Sequence, residues 1–316
     1  MSWPSIEVEL NVDSPTLQPE VLNRLTTEMV DPRYRDLDLL PTLEMVKTMN
    51  EAEAEVPRAV AAAAPAISAA VDAIAARLKR GGRLLYVGAG TPGRLGVLDA
   101  SECPPTFRTE PWMVRGIIAG GVPALTSAIE GAEDDASTGM EDLCREDVGA
   151  VDAVVGISAS GRTPYVIGAM QAARAAGAVT VGLSSNRNSR LSMAVDFPIE
   201  VIVGPEIISG STRLKAGSAQ KQVLNMLSTL SMVRLGKTYG NLMVDVSATN
   251  HKLQVRAQNL VMEITGVDEA TARAALELAD HEVKTACVCI QRDVSPEEAR
   301  ALLAEVGGFL RAALEA

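Results

Sequence analysis

Hydroxyl residues and a glycine occur together where a phosphate could be bound. The run Ser158-Ala159-Ser160-Gly161-Arg162-Thr163 follows an apolar segment and precedes a helical pattern. Side-chain hydroxyls and the free backbone N–H groups of a helix N-terminus can hold a phosphate without a lysine. One serine would suffice for a helix cap, so three hydroxyls favour a ligand over a cap alone. We therefore predict a phosphate site formed by Ser158, Ser160, Gly161 and Thr163.

A glycine-rich turn earlier in the chain has the same character. Gly88-Ala89-Gly90 follows an apolar run and leads into Thr91 and Pro92, which suit the N-cap and the first position of a helix. Such a turn directs N–H groups and the positive end of the helix dipole at one point, so Gly90 and Thr91 are candidate anion ligands. The spacing also matches G-x-G-x-x-G, but no acidic residue follows the second strand to bind a ribose hydroxyl. A turn that is only structural remains the alternative.

A third polar segment, 206–215, again follows a strand pattern and opens a helix. Three such turns at the ends of parallel strands would meet in one crevice. We therefore add four residues to the candidate substrate site: Glu206, Ser209, Ser211 and Thr212.

Two carboxylates near these turns are candidates for acid–base chemistry. Glu102 is expected just past a helix that Pro104 and Pro105 would end, and Glu133 lies in the acidic run 130–135. Acids at a helix start are usually solvated and stabilised by the dipole, which is the simpler interpretation of Glu133. Two carboxylates on neighbouring loops can, however, differ in pKa, so that one acts as an acid and the other as a base.

The elements that must position these residues alternate between strand and helix. Apolar runs alternating with helical patterns predict a doubly wound parallel five-stranded α/β sheet with ligands at the carboxyl ends of the strands. The predicted strands are Leu84–Val87, Val114–Ala119, Ala153–Ile157, Val179–Leu183 and Phe197–Val201. The predicted helices include an amphipathic one that carries Ile67, Val71, Ile74 and Leu78 on one face and is ended by Gly81-Gly82. The others are Thr42–Asn50, Thr163–Ala176, Leu214–Leu235, Asp268–Leu278, His281–Ile290 and Ser295–Leu314, the last with a capping box.

The chain divides into three predicted parts. Residues 1–55 are expected to form a helical segment that wraps the main domain or a partner subunit, 56–240 the main α/β domain with the phosphate site, and 241–316 a helical appendage. The near-continuous apolar character of the helix at 214–235 predicts that it is buried against the sheet or at a dimer interface.

Composition excludes several classes of function. The net charge of -11 and the aromatic content of 3% disfavour nucleic acid and acidic membranes as partners. Only two histidines are present and the four cysteines lack metal-ligand spacing, so a metal centre is improbable. No signal peptide or apolar run of membrane-spanning length is evident, and we expect a cytoplasmic protein with reduced thiols.

Seven motifs resemble the N-acetylmuramic acid 6-phosphate etherase family, which has the sugar isomerase (SIS) fold. The resemblance extends from about Leu78 to Val261, with the two ends of the chain more loosely similar. The motifs are GAGT-x-GRLGVLDASECPPTF, IIAGG, EGAEDD, GISASGRTPYVIGA, GPEIISGSTRLKAG, LNMLST and GKTYGNLMVDV.

The resemblance implies a cytoplasmic homodimer that removes D-lactate from C3 of N-acetylmuramic acid 6-phosphate in cell-wall amino sugar recycling. It implies elimination followed by hydration, N-acetylglucosamine 6-phosphate as product, and neither metal nor cofactor. Glu102 is similar to the family's proton donor and Glu133 to its second active-site acid; the resemblance implies phosphate binding by Ser158, Ser160 and Thr163. Two residues depart from the family pattern, Pro92 in place of a usual serine and Ser218 in place of a usual threonine.

Three other functions agree less well with the residues. A sugar-phosphate aldose–ketose isomerase needs one carboxylate base and no lactyl pocket, so the two motifs that hold Glu102 and Glu133 disfavour it. A non-catalytic sugar-phosphate sensor of the same fold would be expected to lack one of these glutamates, and both are present. A nicotinamide-dependent enzyme is disfavoured because the acid that would bind the ribose is missing.

Overall fold

The computed structural model describes residues 25–246 and 251–315, which form a parallel sheet with helices on both faces and a group of C-terminal helices. The strands are β1 (Leu84–Gly88), β2 (Val114–Ile118), β3 (Ala153–Ile157), β4 (Val179–Ser184) and β5 (Phe197–Glu200). The sheet has the order β2-β1-β3-β4-β5 and every neighbouring pair is parallel. Each predicted strand is present within one residue of its expected ends, and the predicted doubly wound α/β fold is confirmed.

The central strands are apolar on both faces because both faces are covered. All residues of β1, β3 and β4 are buried. Since successive side chains of a strand point to opposite faces, Leu84 and Tyr86 lie in one apolar cluster and Leu85 and Val87 in another. A parallel strand pair needs a crossover connection, and helices supply it here.

The helices before and between the strands cover the two faces of the sheet. They are α1 (Thr42–Glu53), α2 (Val56–Ala62), α3 (Ala64–Leu78), α4 (Gly90–Phe107), α5 (Ala136–Arg145), α6 (Pro164–Ala175), α7 (Arg190–Ala194) and α8 (Lys215–Arg234). Helices α3, α4 and α8 supply residues to the cluster that contains Tyr86, and α5, α6 and α7 to the cluster on the opposite face. Short 3₁₀ turns lie at Thr26–Glu28, Pro32–Tyr34, Leu37–Leu39 and Val122–Leu125.

Helix α4 continues past the two prolines that were expected to end it. A proline within a helix loses a hydrogen bond and strains the preceding turn, which costs about 3 kcal/mol. The last turn is nevertheless held because Cys103 and Phe107 are buried in the core. The helix ends at Arg108, whose backbone is left-handed (φ 49°) and whose N–H donates to the carbonyl of Pro104 at 2.9 Å. Glu102 therefore lies inside the helix rather than after it.

The beginning of α4 also differs from the expected position. The helix starts at Gly90, with Ala89 as N-cap, so that Pro92 is the third helical residue rather than the first. The N–H groups of a helix's first four residues have no partner within the helix, so the missing N–H of a proline is tolerated at the third position as well.

The C-terminal helices pack around an apolar cluster of their own. They are α9 (His251–Thr265), α10 (Glu269–Leu278), α11 (Val283–Arg292), α12 (Pro296–Glu305) and α13 (Leu310–Glu315). The prediction of one helix over Ser295–Leu314 is wrong, because Gly307 and Gly308 both adopt left-handed backbone conformations (φ 65° and 81°) that end α12. The predicted capping box at Ser295 is confirmed, with Glu298 as its partner.

Among the helices of residues 25–246 and 251–315, none is by itself both long and apolar enough to span a membrane. The pair Thr42–Ala62 and Ala64–Leu78 meets the requirement of length and composition only when taken together, and it is bent by 59°.

Candidate active site

The three predicted phosphate hydroxyls lie together in the loop between β3 and α6. The Ser158 hydroxyl lies 2.8 Å from that of Thr163 and 3.3 Å from that of Ser160. The N–H of Gly161 donates to the Ser158 hydroxyl at 3.0 Å, which orients this buried side chain. Ser160 and Thr163 are partly open to solvent. The loop thus presents clustered hydroxyls at the carboxyl end of a strand; that they bind phosphate stays a prediction.

Gly161 is required by the geometry of this loop. Its φ of +67° lies in the left-handed region, and a Cβ at this position would lie 2.3 Å from the Cβ of Ser189. Ser189 is the N-cap of α7, and the carbonyl of Gly161 accepts the N–H of Leu191 at 2.9 Å. The loop can therefore lie against the start of α7 only if residue 161 has no side chain.

A buried asparagine that the sequence interpretation missed holds this loop from behind. The side-chain amide of Asn186 donates to the carbonyl of Ala159 at 3.1 Å and to the hydroxyl of Thr27 at 3.1 Å. A longer contact of 3.4 Å reaches the carbonyl of Ser160, and Oδ1 accepts the N–H of Thr26 at 2.7 Å. One side chain therefore fixes both the hydroxyl loop and residues 26–27. The one signal in the sequence was a polar residue two positions after the end of a buried strand.

The turn after β1 adjoins the start of α8. Gly90 has a left-handed φ of 57°. Thr91 lies close to Gly217 in the first turn of α8, because a Cβ added to Gly217 would lie 3.6 Å from the methyl group of Thr91. The carbonyl oxygen of Thr212 lies at the same distance from that point. Because β1 has β2 on one side and β3 on the other, its carboxyl end is the switch point at which ligands bind in this class of fold. The structure therefore brings the first and third predicted loops together at this edge.

Glu206 has a structural role that its sequence position did not reveal. Its side chain is buried, and its two oxygens accept the N–H groups of Lys215 and Ala216, both at 2.9 Å. Burial raises the pKa of Glu206, while these two N–H groups act in the opposite direction. The carboxylate caps the first turn of α8, so the geometry does not support its predicted contact with substrate.

The serines and threonine after Glu206 remain accessible. Ser209 is exposed and its hydroxyl donates to the carbonyls of Glu28 and Met29, at 3.3 and 3.4 Å. Ser211 and Thr212 are partly buried. The backbone of residues 28–29 thus lies against the 206–212 loop, just as residues 26–27 lie against the hydroxyl loop.

Glu133 lies beside the hydroxyl loop. Its backbone carbonyl accepts the N–H of Tyr165 at 3.0 Å, which ties the acidic segment to the first turn of α6. Although the residue as a whole is exposed, partial desolvation of its carboxylate raises the pKa of Glu133, and the negative charges of Asp134 and Glu130 add to this effect. A carboxylate with a raised pKa is a stronger base and is suited to proton transfer near neutral pH.

Glu102 occupies a different place from the one predicted. It is exposed on α4 and lines a cavity of about 190 Å³ against α8. It lies twelve residues beyond Gly90, which corresponds to about 18 Å along the helix axis, away from the edge that carries the loops. Within one chain, therefore, Glu102 is not brought to the hydroxyl loop as the sequence interpretation expected.

A charged cluster around one buried lysine was also missed. Lys215 is fully buried at the first position of α8, and its ammonium donates to Glu55 at 2.9 Å. Glu55 also accepts from Arg33 at 3.0 Å. In the part of the chain that the structure describes, no group of three or more His, Cys, Asp or Glu side chains is arranged to hold a metal ion.

Comparison with known proteins identifies the family. The N-acetylmuramic acid 6-phosphate etherase of Streptomyces avermitilis is 56% identical over 301 residues, which cover 95% of this chain and 96% of that protein. The etherase of Rubrobacter xylanophilus is 57% identical over 295 residues, or 93% of this chain and 97% of that protein. This chain belongs to the N-acetylmuramic acid 6-phosphate etherase family. The resemblance read from the motifs is thereby confirmed.

Two further similarities concern the sugar isomerase domain. A family model of the glucokinase regulatory protein N-terminal SIS domain matches residues 66–174. A phosphoheptose isomerase structure from Francisella tularensis superimposes with a TM-score of 0.46 at 16% identity, covering 61% of this chain and 100% of that one.

Proposed function

We propose that this chain is a carbon–oxygen lyase that removes D-lactate from C3 of N-acetylmuramic acid 6-phosphate and yields N-acetylglucosamine 6-phosphate. The observation that carries the proposal is identity above one half, over more than nine-tenths of the chain, with relatives named for this reaction. The 6-phosphate is assigned to the hydroxyl loop formed by Ser158, Ser160 and Thr163. Clustered hydroxyls at the carboxyl end of β3 suit an anion in a protein whose net charge of -11 would otherwise repel it.

The proposed reaction needs proton removal, proton delivery and water. Opening of the sugar ring gives an aldehyde, which acidifies the proton on C2. A carboxylate removes this proton, and the C3–O bond then breaks while a general acid protonates the departing lactate oxygen. Water adds to C3 of the resulting unsaturated aldehyde, and the proton returns to C2. Substrate and water are thus converted into two products with no net oxidation or reduction.

We assign Glu133 as the base at C2 and Glu102 as the acid at the lactate oxygen. The raised pKa of Glu133 supports the first assignment, because a stronger base takes a weakly acidic C–H proton more readily. The accessible position of Glu102 in its own cavity supports the second.

The experiment that tests the reaction follows D-lactate release and solvent deuterium at C2. Glu102→Gln should stop lactate release yet permit exchange at C2, whereas Glu133→Gln should abolish both. The reverse pattern would exchange the two roles, and near wild-type rates in both variants would remove the pair from the mechanism. Glu305→Gln, an exposed change on α12, is the matched control. An isomerase would interconvert sugar phosphates without releasing lactate.

We further propose that the active site is shared between two copies of the chain. The separation of about 18 Å along α4 exceeds the reach of one hexose phosphate from the loop edge to Glu102. The surface beside Glu102 carries apolar side chains that are 36 to 50% exposed: Leu98, Met226, Leu230 and Val233. An apolar groove of about 540 Å³ between α8 and helices α2 and α3 continues this surface. A second copy on this face would bury it and bring its own hydroxyl loop to Glu102.

Mixing two inactive variants tests the shared site. Glu102→Gln and Ser160→Ala each damage every site of their own homodimer. If one site takes Glu102 from one chain and Ser160 from the other, a mixed dimer keeps one intact site, and re-associated mixtures should recover about a quarter of wild-type activity. A site within one chain would show no recovery, and light scattering that finds only monomers would refute the dimer.

The cellular setting is also a proposal. Cys103, Cys144, Cys287 and Cys289 are all free thiols, which fits a reducing compartment such as the cytoplasm. The division into a wrapping segment 1–55, a sugar-phosphate domain 56–240 and a helical part 241–316 is likewise proposed. The separate apolar cluster of the C-terminal helices supports the last of these parts, and residues 1–24 of the wrapping segment lie outside the described residues.

A further inference from the structure

The cavity beside Glu102 has one apolar wall and one polar wall. The apolar wall consists of Leu95, Leu98 and Leu224. The polar wall contains Lys221 and Asn225, which are four residues apart on α8 and therefore share one face of that helix. In residues 25–246 and 251–315, Lys221 forms no ion pair, not even with Glu102 in the same cavity. The cavity thus holds an accessible cation that makes no ion pair within the described residues, although the carboxylates of Asp99 and Glu102 line the same cavity.

The floor of this cavity is fixed by buried hydrogen bonds. Asp99 lies one helical turn before Glu102, and its carboxylate accepts from the hydroxyl of Tyr86 at 2.8 Å and from the amide of Asn225 at 2.6 Å. Asp99 and Tyr86 are both buried. These bonds connect β1, α4 and α8 directly beneath the cavity, so its polar wall is held in place before any ligand arrives.

We propose that this cavity binds the D-lactyl group of the substrate, with the Lys221 ammonium paired to the lactyl carboxylate. The leucine wall would contact the lactyl methyl group, and Glu102 would face the ether oxygen that it protonates. This inference rests on the proposed function and adds to it the residue that selects a lactyl ether over an uncharged ether. Lys221 is a specificity residue for the leaving group, distinct from the hydroxyl loop that takes the 6-phosphate.

Size and charge both fit this ligand. A cavity of about 150 Å³ accommodates benzene, which has as many heavy atoms as a lactyl group with its ether oxygen; this cavity measures about 190 Å³. An unpaired cation beside an apolar surface is the complement of a small carboxylate that carries a methyl group. The phosphate is already provided for by hydroxyls at the sheet edge, so the second anionic group of the substrate requires a second, separate partner.

Two substrates separate the role of Lys221 from general damage. One is N-acetylmuramic acid 6-phosphate, and the other is its lactamide analogue, in which a neutral amide replaces the carboxylate. Wild-type protein should prefer the acid in kcat/KM. Lys221→Met should reduce kcat/KM for the acid about 10- to 100-fold and leave the amide nearly unchanged, which removes the preference. Lys221→Arg, which keeps the charge, should retain part of it.

Lys47→Met makes the same change on the exposed face of α1 and should preserve the preference. If wild-type protein cleaves the acid but Lys221→Met slows both substrates equally, or neither, Lys221 does not bind the carboxylate although the etherase function stands. If wild-type protein cleaves neither substrate, the proposed function itself fails, and the lactyl subsite fails with it.

Discussion

Replacing Asn186 by alanine should both destabilise the protein and loosen the hydroxyl loop that is proposed to bind phosphate. The side chain makes three good hydrogen bonds, to Thr26, Thr27 and Ala159, at 2.7 to 3.1 Å. A hydrogen bond contributes about 0.5–1.5 kcal/mol net, and the 3.4 Å contact to Ser160 adds little. We therefore expect Asn186→Ala to lower the free energy of unfolding by about 2–4 kcal/mol.

The same change should weaken binding of phosphate more than it slows chemistry. Asn186 touches no predicted reacting group, but it holds the carbonyls on both sides of the Ser160 backbone. Without it the hydroxyls must be ordered at the moment of binding, which raises KM. We expect KM for the sugar phosphate and the inhibition constant of inorganic phosphate to rise together by about tenfold, with kcat changed less.

Thr27→Val separates the two sides of this contact. It removes only the hydroxyl bonded to Asn186 and leaves the bonds to the loop intact, so it should cost about 1 kcal/mol of stability and leave KM nearly unchanged. Asn50→Ala, at an exposed position of α1, is the control for the substitution type. Stability comes from urea unfolding and KM from initial rates of lactate release. If Asn186→Ala lowers stability while both constants stay at wild-type values, the loop does not depend on Asn186 and the reasoning is refuted.

Three other predictions concern the same elements. Gly161→Ala should destabilise the protein by about 2–4 kcal/mol in urea unfolding, because it combines a left-handed φ with a Cβ clash; a change below 0.5 kcal/mol would contradict this geometry. Burial alone would raise the pKa of Asp152, but hydrogen bonds from Arg83 and two backbone N–H groups outweigh it, and the folded-state pKa lies below 3.8. The difference in free energy of unfolding between wild type and Asp152→Asn should therefore be complete above pH 3.8 and shrink as the pH falls through the folded-state pKa of Asp152. A difference independent of pH would contradict the pairing. Glu130→Gln removes a negative charge that raises the pKa of Glu133, so the acidic limb of the kcat/KM profile should move to lower pH, and a limb that stays in place would argue against Glu133 as base.

Local pattern was sufficient for most of the fold. The runs from Leu84 and from Ala153 are apolar at every position, as is typical of short strands that are covered on both faces. Because these runs alternate with helical patterns, the sequence predicts a doubly wound sheet. The hydroxyls of the loop at 158–163 were also found from sequence, since the end of a parallel strand is followed at once by the turn that bears its polar residues.

Long-range contacts decided what the sequence did not reveal. Helix α4 continues past Pro104 because burial of Phe107 offsets the proline penalty, and that burial depends on residues distant in the chain. The hydrogen bond between Asn186 and Thr27 joins residues 159 positions apart, and no periodic pattern in the sequence indicates it. Glu206 resembled a ligand in sequence, and only the position of α8 showed that its oxygens cap that helix.

The sequence by itself determined the strands and the hydroxyl-bearing turns that follow them, because apolar runs and turn residues are local properties of the chain. The tertiary structure alone decided that Glu102 faces α8 and its cation Lys221, about 18 Å along the helix from the loop edge. The direction of a side chain depends on where its helix begins, continues and packs, and those depend on free energies of burial summed over the whole core.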